Sequence, residues 1–271
     1  MFSTGGAAIK ACTLPSWQVA GLRSGIAAAV FWMALPGARR GWTWRTWLTG
    51  LAYAATMILF VLANKLTTSA NAIFLQSTAP LYLLLLGPLV LRERILKVDV
   101  AVISGVAAGA LLLLEGSETA GATAVDPGRG NLLALVAGLT WALTITGFRW
   151  TAKAGKHSAE AAVIAGNFMA FVLSLPMALP ITHISAADAS VLLYLGFFQI
   201  ALAYLLLTRS LRQVAGLEAA TLLLLEPVLN PVWSWIFHGE RPSGLALAGG
   251  AVIIGVAFAG TAWRVRFAVA E

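Results

Sequence analysis

Charge is what this chain has least of. Only 11% of its 271 residues are charged, while 59% are hydrophobic and the mean hydropathy is +0.85. A soluble domain carries roughly 25% charged residues. So much apolar surface would aggregate in water, and a lipid bilayer is the solvent that fits it. Cysteine is almost absent: the single Cys12 excludes an internal disulfide and any cysteine-rich metal site. The three histidines, His157, His183 and His238, fall at or near the ends of apolar runs without metal-ligand spacing, so no metal is expected. The signatures of a membrane enzyme are also missing: no His-Glu-x-x-His, no paired aspartates on adjacent apolar runs, no Gly-x-Ser-x-Gly elbow. Without an ATP-binding motif, no cofactor is expected. Any transport would be coupled to an ion gradient or to the solute's own gradient. The net charge of +7 invites a nucleic-acid reading. Its basic residues sit in short loops between apolar runs, however, as topology signals do, and form no aromatic-interleaved patch. No nucleic-acid partner is expected.

What the chain does have is apolar runs: 17–35, 46–63, 70–91, 98–114, 131–150, 159–179, 189–208, 217–237 and 244–263. Each is near the ~20 residues that cross a ~30 Å hydrocarbon core. Lipid satisfies no backbone polar group, so each run is predicted to be a helix. The connections are short, the longest being 116–130, with Glu118, Asp126 and Pro127. Its composition marks a boundary between two halves.

The halves repeat. Pro80 sits in an apolar run that ends in Arg92-Glu93-Arg94, and Pro227 in one that ends in Gly239-Glu240-Arg241. Both pairs are 147 residues apart, and Lys65 and Arg212 share that offset. Duplication in a membrane protein points to a transport pathway between the repeats. The repeat also requires a helix before position 17, of which 1–9 supplies only half. Either roughly ten residues of a first spanning helix precede this chain, or the short piece is re-entrant. The first alternative gives five helices per half. Five is odd, so the second half enters the membrane from the opposite side and the repeats are inverted. With the N-terminus in the cytoplasm, thirteen Lys and Arg lie on that side and four on the other, with Arg23 left within a span. That asymmetry predicts both termini inside.

Ten short helices in two inverted five-helix halves, each fourth helix closing on Glu-Arg, resemble the drug/metabolite transporter superfamily, and the EamA-type family in particular. Further residues carry the resemblance. Ala8, Ile9 and Lys10 look like the end of the family's first helix. Leu22-Arg23 resembles the arginine of its second, Ala79-Pro80 and Glu226-Pro227 its fourth-helix motifs, and Trp141 the tryptophan of its sixth. Phe2-Ser3 departs from the family's frequent Trp-Gly. The resemblance implies an all-α integral membrane protein. Its ten-helix bundle would comprise one EamA-like repeat over 1–117, incomplete in its first helix, a linker over 118–130 and a second repeat over 131–271. It implies a carrier in a bacterial-type inner membrane, with a central cavity lined by helices one, three, four, six, eight and nine, that exports small organic solutes such as amino acids. A channel or a lipid-handling scaffold is the alternative.

Several residues are candidates for the work. Pro80 and Pro227, at matched positions, are expected to be hinges, since proline removes a helical hydrogen bond and frees a carbonyl. Glu226 is the sharpest single residue. A mid-bilayer carboxylate is costly, and such groups usually face the bundle interior. Contact with a substrate amine and proton coupling are both open to it. Helical spacing puts Asn230 and Trp233 on its face. Thr78 and Tyr82 in helix four, Tyr53 in helix three, Trp141 and Thr144 in helix six and Gln199 in helix eight complete the expected substrate site, with Gln76, Ser77 and Tyr204 beside them. Apart from Glu226 the cavity is expected to hold no charge, which argues against a strongly anionic solute; Arg23 is expected to snorkel to the interface, the alternative being an ion pair with another helix. Glu93 and Glu240 are read as structural. Small residues at Gly105 and Gly109, and at Ala251, Gly255 and Ala259, permit close contact of helices five and ten within a chain or across a homodimer.

Overall fold

The structure is a computed structural model of the chain, and it describes residues 1–40, 42–86, 89, 97–116, 122–152, 158–210 and 225–268. Among them every regular element is helical. A 3-10 turn, Phe2–Thr4, leads into α1 (Gly5–Ala11). Then come α2 (Ser16–Ala34), α3 (Trp44–Leu66), α4 (Ser69–Gln76), α5 (Ala79–Leu86), α6 (Lys97–Glu115), α7 (Pro127–Ala152) and α8 (Ser158–Ala178). In the second half α9 (Ala186–Leu193) runs through a π-helical segment, Tyr194–Leu202, into α10 (Ala203–Ser210), followed by α11 (Leu225–His238) and α12 (Gly244–Ala268). With α4 and α5 taken as one broken helix, and α9 and α10 as one π-interrupted helix, ten helical segments follow in the expected order. Among the described residues, four helices are long and apolar enough to span a bilayer: Trp44–Leu66, Pro127–Thr151, Ala159–Ala178 and Ala186–Leu206. The Arg92-Glu93-Arg94 motif, Arg212 and the stretch before Leu225 lie outside the described residues.

Caps and breaks follow local chemistry. Thr43 and Thr46 form a reciprocal capping box on α3, and Thr68 accepts from the Asn71 amide at the start of α4. The predicted helix four stops at Gln76. Ser77 donates its hydroxyl to the Ile73 carbonyl and Thr78 to the Leu75 carbonyl, and the chain restarts as α5 with Pro80 in its first turn. Proline is tolerated there because its missing N–H would be unpaired anyway.

Helices pack through small residues. Gly166 meets Tyr53, Gly147 meets Thr49, and Gly50 meets Ala165, joining α3 to α7 and α8. On α6 a Cβ at Gly105 would lie 2.6 Å from Val256, and one at Gly109 would lie 2.7 Å from the Gly249 carbonyl oxygen. Helices five and ten therefore pair within the chain. The stripe on α12 is not the expected one, however. Gly249, Ile253, Val256 and Gly260 face α6, while Ala251, Gly255 and Ala259 point outward.

One end of the bundle is closed by buried polar contacts. The Lys10 ammonium lies 2.7 Å from the Glu240 carboxylate and donates to the Thr67 and Thr123 carbonyls. Glu240 also accepts from the Ser69 amide at 2.9 Å, so it is structural, as expected. Lys65 donates to the Cys12 carbonyl, and Thr67 donates to Asn131 at 2.7 Å. The carboxylate of Asp188 holds the Thr13 amide and hydroxyl at 2.7 and 2.8 Å.

Gly109→Leu is expected to lose about 1–3 kcal/mol by overpacking the α6–α12 contact. Gly255→Leu is expected to leave stability unchanged, because nothing lies within 4 Å of its Cβ position. Thermal unfolding in detergent compares the two.

Candidate functional site

A cavity of about 370 Å³ lies among the helices. Its floor is built where helices are interrupted. Gln76 and Ser77 at the break between α4 and α5, then Pro80 and Leu83 of α5, form one wall. The π segment contributes Gln199 and Ile200, and α10 contributes Tyr204. Inserted π turns recur at functional sites because they redirect side chains and free backbone groups. Here Gly196 lets the π segment approach α2: a Cβ there would sit 2.7 Å from the Arg23 carbonyl oxygen and 2.6 Å from Ile26. Glu226 and Pro227 of α11 lie opposite, and Trp141 of α7 closes the side.

Of the candidate substrate residues, Glu226, Trp141 and Gln199 line this cavity, with Phe2, Met57 and Phe60, and the candidate hinges Pro80 and Pro227 lie on its wall. The other expected substrate residues do not. Asn230 and Trp233 share a face of α11 that the N-terminal segment covers: the Trp233 indole donates to Ser3 at 3.2 Å, and Asn230 is fully buried against Gly6. Thr144 donates to the Thr140 carbonyl at 2.8 Å and lies 3.4 Å from Thr56, which ties α7 to α3. Thr78 is spent on the Leu75 carbonyl and on contact with Gly138 of α7. Tyr53 sits behind the wall, its ring 6.1 Å from that of Tyr204 and 6.2 Å from that of Phe148. Tyr82 is half-buried, away from the lining.

Arg23 is the main correction. It does not snorkel: only 1% of it is exposed, and it lines the cavity. Its guanidinium donates to the Met57 carbonyl at 3.0 Å, and its Nε has no hydrogen-bond partner among the described residues. Tyr204 shares the cavity wall with Arg23 and Glu226. Among the described residues the cavity therefore holds one cation and one carboxylate, on α2 and α11, and no ion pair joins them. The sequence signal was present, since Arg23 stands seven residues, roughly 10 Å, inside α2. A long side chain leaves the destination of its charge open. The wall also includes Ile253, Ile254 and Ala257 of α12, so the second and tenth helices join the six that the resemblance implied.

A model of the EamA-like transporter family matches residues 1–115 and 128–261, nearly the whole chain. The chain belongs to the EamA-like transporter family. The family makes this a membrane transporter of small solutes. No curated protein matches the chain. A solved crystal structure superposes with a TM-score of 0.64 at 20% identity, covering 98% of this chain and 94% of its own. At that identity the likeness shows the fold alone.

This EamA-like transporter carries its own labelling blank. Cys12 lies between α1 and α2, is buried, and has a thiol pushed up to about 11, chiefly by burial. Ser77→Cys is expected to react with a small thiol reagent in membranes. Thr144→Cys should react about tenfold more slowly or not at all, because thiol reactivity follows exposure. Mass spectrometry of the labelled protein reads both.

Proposed function

We propose that the protein is a secondary transporter that exports small zwitterionic metabolites, amino acids or related compounds, by alternating access. The observation that carries this reading is the pair of opposite charges held apart in one cavity. Arg23 offers a planar donor fork for a carboxylate. Glu226 offers an acceptor for an ammonium. Trp141, Phe60 and Tyr204 supply apolar surface for the rest of the solute. Neither charge neutralises the other, so a solute carrying both signs satisfies both at once. A purely anionic solute would meet Glu226.

Packing supports an inverted repeat. Exchanging the halves, first helix for sixth through fifth for tenth, turns the contact of α4 with α7 into that of α11 with α1. It turns α3 against α8 into the π segment against α2, and α3 against α7 into the π segment against α1. It returns α2 with α8, α4 with α11 and α6 with α12 to themselves. All these contacts are present. The lysine and arginine asymmetry supports the inverted sense, with both termini in the cytoplasm of a bacterial-type inner membrane. In that frame the cavity reaches toward the cytoplasmic end through Leu83, Tyr204 and Glu226, and Lys10 and Glu240 close the other end. Release outward then requires α1 and α11 to separate, with Pro80 and Pro227 as hinges.

The test is counterflow in proteoliposomes, screened with amino acids, nucleobases and cationic drugs. A channel gives none. Arg23→Gln is expected to raise the half-saturation concentration of a zwitterionic solute about tenfold to hundredfold, the worth of a charged hydrogen bond, and to spare a cationic one. Glu226→Gln separates its two readings: lost pH dependence with retained counterflow supports proton coupling, whereas wild-type behaviour removes Glu226 from the mechanism.

Lys10→Met with Glu240→Gln removes both charges of the closed end together. We expect Ser77→Cys in that background to become reactive to a membrane-impermeant thiol reagent added outside. Unchanged protection would show that the ion pair does not hold that end shut.

A further inference from the structure

A second cavity, of about 860 Å³, is a groove on the outer surface between α2 and α8. Its long wall is the outward side of α2 from Leu22 to Met33, and its other wall is Ile164, Phe168 and Phe171 of α8. The rise from Leu22 to Met33 is roughly 17 Å, about half of a ~30 Å hydrocarbon core. The groove is thus one leaflet deep, and its lining is wholly apolar or aromatic in residue type.

The end of the groove differs from its walls. Trp32, Trp42 and Trp47 stand edge to face there, with centroids 6.4 and 5.0 Å apart. Indoles favour the headgroup level of a bilayer. Arg39 lies over the Trp32 ring at 5.4 Å, with its Nε on the Trp32 carbonyl, and Arg40 follows it, exposed and without a partner among the described residues. The carboxylate nearest in sequence to the α8 wall is Glu160, one turn before Ile164, and it is already engaged. Arg45 lies over the Trp150 and Trp44 rings at 4.7 and 5.8 Å, and neither ring lines the groove. Depth, aromatic rim and two cations with no ion pair among the described residues coincide at one place.

We propose that this groove is a binding site for an anionic phospholipid, with an acyl chain along α2 and the phosphate at Arg39 and Arg40. Apolar length alone would accept any lipid; the two arginines select charge, as basic pockets beside spanning helices do. The site is separate from the central cavity and does not depend on the solute assignment.

The purified full chain in neutral detergent tests it, by native mass spectrometry and thermal unfolding, with phosphatidylglycerol and phosphatidylcholine of the same acyl chains. Phosphatidylglycerol is expected to bind more tightly and raise the unfolding temperature further. Arg39→Gln with Arg40→Gln should weaken it about thirtyfold, at the usual worth of two surface cations, and bring the two lipids level. Ala29→Phe, which fills the groove from α2, should weaken both lipids. Equal effects of the two lipids on the wild-type chain would overturn the proposal. So would an unchanged preference in the double arginine variant, or an equal thermal shift from glycerol phosphate without acyl chains.

Discussion

A bilayer interior offers nothing to hydrogen-bond a free amide or carbonyl, and the rest of this structure depends on that constraint. A helix in lipid can break only where protein or water takes over the freed groups. This chain breaks its helices at two described places, Gln76 to Ala79 and Tyr194–Leu202. Both adjoin the same cavity. Ser77 and Thr78 return their hydroxyls to the carbonyls of the preceding turn, which lowers the cost of the first break. At the second, Gly196 brings the backbone against the Arg23 carbonyl. The cavity and the irregular backbone are therefore one feature. The site exists because the helices are interrupted, and the interruptions survive because they face the site.

The same constraint explains the abundance of glycine and alanine at contacts. Lipid tails are as apolar as leucine, so burial against lipid and burial against protein differ little, and association depends on close packing. Gly105, Gly109 and Gly249 give α6 and α12 that closeness. Polar groups then add specificity. Lys10 and Glu240 join the first helix to the ninth at a point where two isolated charges would each be costly. Small residues set how near the helices come, and the ion pair sets which helices they are.

The class and the helix order were legible because each rests on composition or spacing. Those properties survive whatever the neighbours do. Helix phase around the cavity was only half legible. Glu226 was readable because a mid-span carboxylate has few acceptable environments. Asn230 and Trp233 were read as a cavity wall with Glu226, but periodicity gives a face and not its neighbour, and the residues at 3 and 6 cover them. Arg23 failed for a different reason. An arginine within a span has two acceptable solutions, reaching out or facing in, and only tertiary packing chooses. The outward stripe of α12 was misjudged likewise, since small residues occur on both sides of that helix.

The two cavity charges gain meaning from the repeat. At an offset of 147, Glu226 matches Ala79, so the carboxylate belongs to the second half alone. The tetrapeptide Met-Ala-Leu-Pro occurs at 33–36 and again at 177–180, an offset of 144, so in the second and seventh helices Arg23 matches Asn167. Asn167 is fully buried and neutral, its amide on the Val163 carbonyl at 3.0 Å. The cation therefore belongs to the first half alone. Two copies of one half, related by symmetry, would present like groups to a central solute and would suit a symmetric ligand. Replacing one position in each half breaks that symmetry in opposite electrostatic senses. It leaves the framework of matched prolines and matched packing intact. The result is a site with opposite charges on its two sides, and on the proposed function that gives it the direction needed to orient a solute charged at both ends.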